Sequence, residues 1–118
     1  MSSTQSRPSK ADLPLEIGVE EAGRLLAKAD GVLLVDVREP WEYELCRIEG
    51  SKLIPMATIP ANLQALDTDD RVICYCHHGM RSLDVAVWLR RQGIEMAQSL
   101  AGGIDRWSQQ IDPRVPRY

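Results

Sequence analysis

Long apolar runs are missing from this chain. Its longest aliphatic stretch, GVLLV at 31–35, is far shorter than the about 20 residues a spanning helix needs. The opening MSSTQSRPSKADLP lacks the apolar core of a secretory signal, and its Ser, Pro and Lys content predicts a disordered tail over 1–14. Positive charge is not in excess either. A net charge of −3 leaves no basic footprint for nucleic acid and no reason to expect a membrane partner. Cysteine is scarce and odd in number, with only Cys46, Cys74 and Cys76. Without a secretory signal, that count predicts free thiols in a reducing, cytoplasmic setting. Internal repeats and interior linkers are absent too, so the chain reads as one domain over 15–116.

What is present is an alternation of strand and helix signals. LEI (15–17) reads as a short strand. VEEAGRLLAKA (19–29) reads as an amphipathic helix with Val19, Ala22, Leu25, Leu26 and Ala29 on its apolar face. Glu20 and Glu21 in its first turn and Lys28 in its last suit the helix dipole. VLLVDV (32–37) and RVICYC (71–76) are continuous apolar runs, the pattern of strands buried on both faces of a parallel sheet. PWEYELC and PANLQALD predict short helices, and SKLIPM (51–56) another strand. SLDVAVWLRRQG (82–93) predicts a helix with Leu83, Ala86, Val87 and Leu89 inward. MAQSL (96–100) reads as an edge strand, GGIDRWSQQI (102–111) as a last helix, and DPRVPRY as a tail. The expectation is an α/β fold with a parallel sheet covered on both sides.

The chemistry concentrates in YCHHGMRS (75–82), between a buried strand and a helix. Cys76 falls at the carboxyl end of the strand, the edge where open α/β sheets bind ligands. Gly79 frees the backbone to curl, so the amides of His77, His78, Gly79, Met80, Arg81 and Ser82 can turn inward as a nest of donors. Helix N-termini and nearby cations lower a thiol from about 8.5 to roughly 3.5–7.5, and Arg81 is such a cation. Cys76 is therefore expected to be a thiolate nucleophile. Cys74 belongs to the strand body and reads as a small core residue. Cys74, Cys76, His77 and His78 are all metal-ligand types, but their spacing matches no common metal pattern, so no metal is expected.

C-x-x-G-x-R-S after a buried strand, VDVRE near the start and LAGGIDRW near the end together resemble a single-domain rhodanese-like sulfurtransferase, over about residues 15–116. The resemblance implies a five-stranded parallel sheet flanked by helices. It also implies a cysteine that takes sulfur from a small anionic donor such as thiosulfate, holds it as a persulfide, and passes it to cyanide, a thiol or an acceptor protein. No organic cofactor is implied. The related phosphatases and arsenate reductases place five residues between cysteine and arginine, whereas this chain has four, His77 to Met80. A tighter bowl suits one sulfur atom better than a phosphate.

Asp36 and Arg38 in VDVRE are expected to brace the fold and the loop. Gly102 and Gly103 permit a tight turn, and Trp88 and Trp107 fill core. The family usually reads G-H-I-x-G-A where this chain reads CRIEGS, which puts Cys46 and Arg47 in place of glycine and histidine. Arg47 thus becomes a candidate for the pocket rim, although a plain surface role fits it too. His77 and His78 can help receive an anion or simply be solvated. Two rivals remain: a cysteine phosphatase or arsenate reductase, and a non-catalytic interaction or sulfur-relay module.

Overall fold

A computed structural model describes residues 13–28, 31–67 and 69–118. Five parallel strands form one sheet: β1 (Glu16–Ile17), β2 (Val32–Asp36), β3 (Lys52–Leu53), β4 (Arg71–Tyr75) and β5 (Ala97–Leu100), in the spatial order β1-β5-β4-β2-β3. Four α-helices connect them, α1 (Val19–Lys28), α2 (Pro40–Leu45), α3 (Leu63–Leu66) and α4 (Met80–Arg91), and α5 (Gly103–Gln110) follows β5.

The side chains of β4 alternate between two cores, as strand geometry requires. Val72 and Cys74, with Cys76 beyond the strand end, face a core that includes Val35, Ile59, Leu66, Val85, Ala86 and Leu89. Ile73 and Tyr75 face the other, with Ile17, Ala22, Leu34, Ile104 and Trp107. Burial on both sides is the reason β2 and β4 read as unbroken apolar runs. On α1, Val19 and Ala22 are buried and Leu25 and Leu26 pack half-buried against the second core; Ala29 lies outside the described residues.

Several expectations need correction. Helix α4 begins at Met80, two residues early, because Gly79 caps it at φ 108°, a left-handed conformation that glycine adopts at little cost. Its buried stripe is Ser82, Val85, Ala86 and Leu89, while Leu83 and Val87 are only half-buried. β5 is not an edge strand. It lies between β1 and β4 with all four residues buried, because its polar members find partners: the Gln98 amide donates to Pro14 O at 2.9 Å, and Ser99 Oγ lies 2.8 Å from Ser82 Oγ. Trp107 is core, but Trp88 is only partly buried and lines an apolar groove of about 290 Å³ with Met56, Ile59 and Val85.

The expected tail over 1–14 falls almost wholly outside the described residues; within it, Leu13 is buried and Arg90 donates to Leu13 O and Pro14 O. Residues 112–118 are no tail. Val115 is buried against the second core, its carbonyl accepts from Ser108 Oγ, and Tyr118 enters a hydrogen-bond network. Among the described residues, no helix is long and apolar enough to cross a membrane.

Candidate active site

β4 ends at Tyr75, and Cys76 is the next residue, directed into the same core as Cys74 and 1% exposed. The chain then curls through His77 and His78 to Gly79 and enters α4. The curl turns two amides onto the sulfur: Gly79 N–H donates to Sγ at 3.1 Å and Ser82 N–H at 3.4 Å. Ser82 Oγ lies 3.5 Å from Sγ, and is itself held by Ser99 Oγ and Gly79 O. From behind, α5 braces the loop: Ile104 N–H donates to Cys76 O at 2.9 Å and Asp105 N–H to His77 O at 3.1 Å. Such an approach is open only to glycine at position 103. A Cβ there would sit 2.4 Å from His77 O and 2.5 Å from Cys76 O.

Arg81 does not hold loop carbonyls. Its guanidinium forks onto Glu42 of α2, Nη1 to Oε1 at 2.8 Å and Nη2 to Oε2 at 3.0 Å, and its side chain stays 36% exposed. Glu42 is buried, and it also accepts the Glu39 amide at 3.0 Å and the Tyr118 hydroxyl. Burial alone raises the Glu42 carboxyl, but Arg81, the Glu39 amide and Tyr118 outweigh it and hold it down at about 2.

Asp36 and Arg38 are fully buried and bonded three times, Arg38 N–H and Nε to Oδ1, each at 2.9 Å, and Nη2 to Oδ2 at 2.7 Å. Arg38 also donates to Cys46 O and to the Tyr118 hydroxyl, and Tyr75 donates to Asp36. Arg47 is exposed, its guanidinium 4.4 Å from the Tyr43 ring centroid. Met80 stands 76% exposed at the first position of α4.

His77 is half-buried and His78 exposed, and their rings stack on each other. The His77 ring lies between two others, with centroids 3.9 Å from His78 and 3.9 Å from Tyr118, and Trp41 meets Tyr118 edge-on. Burial and the neighbouring His78 push the His77 imidazole below its ordinary value. Among the described residues, the one metal-type cluster is His77, His78 and Asp105, with ligand atoms within 4.8 Å of one another. Asp105 there is already bonded twice to Arg117. Cys74 takes no part, being buried in β4, with its thiol pushed up to about 12 by burial and by Cys76.

Sequence reasoning missed Glu42, Ser99 and Tyr118. Glu42 left a faint signal, a glutamate at the third position of a short helix that can reach back to the residue before Pro40. Ser99 and Tyr118 left none, since their partners are far away in the chain.

Residues 19–110 match the family model described as Rhodanese-like domain. The chain belongs to the rhodanese-like domain family. A protein of Allochromatium vinosum named sulfurtransferase is 35% identical over 100 residues, covering 85% of this chain and 94% of that protein. Thiosulfate sulfurtransferase GlpE of Pseudoalteromonas translucida is 33% identical, covering 86% of this chain and 95% of its own. The crystal structure of a rhodanese-like domain protein from Staphylococcus aureus superposes with a TM-score of 0.75 at 32% identity, covering 87% of this chain and 97% of that one. Other relatives of this rhodanese-like chain are longer. It spans 31% of a chloroplastic rhodanese-like/PpiC domain-containing protein of Arabidopsis thaliana and 24% of a probable adenylyltransferase/sulfurtransferase of Mycobacterium tuberculosis.

Proposed function

We propose that the protein is a sulfurtransferase that carries sulfane sulfur on Cys76. The observation that carries this reading is the pair of amides, from Gly79 and Ser82, that donate to Sγ at the floor of a four-residue loop. Amides aimed at sulfur stabilise a thiolate and the persulfide that follows it. In the first half-reaction the Cys76 thiolate attacks the outer sulfur of thiosulfate. The new S–S bond forms as the old one breaks, and sulfite leaves with the electron pair. In the second, an acceptor such as cyanide or a thiolate attacks the terminal sulfur of the persulfide. Thiocyanate or a new persulfide departs, and the Cys76 thiolate returns. The protein undergoes no net oxidation.

The fork of Arg81 argues against phosphoryl transfer. Arginine recognises phosphate best through two parallel N–H bonds, and here both point at Glu42. What remains is a half-exposed cation that attracts a small dianion. Asp36 and Arg38 brace the carboxyl ends of the strands. The free thiols of Cys46, Cys74 and Cys76 fit a reducing compartment. Steady-state assays test the reading. Thiosulfate with cyanide should yield thiocyanate, and p-nitrophenyl phosphate should not turn over. Phosphate ester hydrolysis without thiocyanate formation would reverse the assignment.

A further inference from the structure

The strongest structural feature outside the expected site is the return of residues 112–118 across the cysteine loop. Val115 anchors the segment in the core; beyond it Arg117 contacts α5 and Tyr118 contacts the cysteine loop. Arg117 is bonded twice to Asp105, at 2.8 and 3.3 Å, and Asp105 in turn faces His78 Nε2 at 3.9 Å. Tyr118 lays its ring flat on His77, with planes 5° apart. Its hydroxyl accepts from Arg38 Nη1 at 2.9 Å and donates to Glu42 Oε2, the oxygen that also receives Arg81 Nη2. One phenol therefore touches both the partner of Arg81 and the residue after Cys76.

We propose that Tyr118 is a positioning residue for sulfur transfer: its hydroxyl tunes the Glu42–Arg81 pair, and its ring holds His77 in place beside Cys76. This rests on the sulfurtransferase reading above. The physical effect of the hydroxyl has a definite sign. A buried carboxylate that receives only Arg81 on Oε2 draws the guanidinium closer and cancels more of its field. A second donor on that oxygen takes up part of the negative charge and leaves Arg81 more positive towards an incoming anion. Burial and the Glu42 bond push the Tyr118 phenol up to about 12, so it keeps its proton, and donates, throughout the neutral range. The ring acts separately. It covers one face of His77, whose other neighbours are His78 on the same loop, Asp105 on α5 and Glu42 on α2. Removing the ring admits water to that face and weakens the burial that favours neutral imidazole, while the backbone bond to residue 118, which favours the cation, stays open to alanine.

Two variants separate the two effects. Tyr118→Phe keeps the stack and loses the hydroxyl. The KM for thiosulfate should rise roughly threefold to tenfold, the worth of one hydrogen bond, with kcat nearly unchanged. Tyr118→Ala should show the same KM change, and the His77 imidazole, followed by NMR, should titrate at higher pH than in the parent. Parental KM in both variants, or a loss in kcat that only tracks a lower melting temperature, would overturn the role of the hydroxyl. An unmoved His77 titration in Tyr118→Ala would overturn that of the ring. If the parent itself transfers no sulfur from thiosulfate, the functional reading fails first. The NMR titration then still decides whether Tyr118 holds the loop.

Discussion

Cys74 and Cys76 point to the same face of the sheet, because side chains two apart along an extended chain do so. Their surroundings differ by one event, the end of β4 at Tyr75. Cys74 is paired in register with Val35 and Ser99 and meets only core, whereas Cys76 lies past the strand and meets the first amides of α4. Cys74→Ser should therefore cost about 1–3 kcal/mol in chemical denaturation, the penalty of a buried hydroxyl, with modest loss of activity. Complete loss of activity at parental stability would mean the two thiols had been assigned the wrong way round. Glu42 gives a second test at this scale. Its folded pKa of about 2 lies below the ordinary 4.5. A depressed carboxylate contributes stability that is fully present above the ordinary pKa and is lost as pH falls towards the folded value. This group should account for up to about 3 kcal/mol of the stability lost between about pH 5 and pH 2. Glu42→Gln should flatten that part of the acid profile, and an unchanged slope would remove Glu42 from the account.

At the scale of elements, the sulfur site is a junction of three pieces: the end of β4, the start of α4 and the start of α5. The last is the least obvious. Gly103 has φ 62° and allows α5 to press its amides onto Cys76 O and His77 O. Gly103→Ala must push α5 away from the loop. It should lower stability by about 1–3 kcal/mol and reduce sulfur transfer by more than that loss explains. Parental melting and parental kinetics together would show that α5 does not brace the loop. Loop length belongs here as well. One glycine inserted between Gly79 and Met80 should widen the bowl and draw the amides back from Sγ. A misplaced donor of this kind costs roughly 2.7–4 kcal/mol in a preorganised site. Thiosulfate turnover should fall, while phosphate should protect Cys76 from alkylation better than in the parent. A longer loop that transfers sulfur at the parental rate would make loop size irrelevant.

For the molecule as a whole, the parts legible in the sequence are those whose signal is local. β2 and β4 announce themselves through runs buried on both faces, and the cysteine loop through a glycine between a strand and a helix. β5 misled because Gln98 and Ser99 look like solvent-facing residues, yet Gln98 Nε2 finds Pro14 O and Ser99 Oγ finds Ser82 Oγ inside the fold. The return of residues 112–118 was not legible at all. It rests on one apolar anchor, Val115, and on Tyr118, which bonds partners 76 and 80 positions away and has no periodicity to betray it. Beyond its faint capping signal, the ion pair of Glu42 was hidden for the same reason, since its partner Arg81 is 39 positions distant. The contacts of Ser99, Glu42 and Tyr118 converge on the loop around one sulfur atom, and that atom offers the most direct test. The parent protein is exposed to thiosulfate, freed of excess donor, and weighed intact and after proteolysis under non-reducing conditions. One added sulfur is expected, located on the peptide that contains Cys76, lost on addition of cyanide and absent from Cys76→Ser. No gain in mass, or a sulfur residing on Cys46 or Cys74, would contradict it.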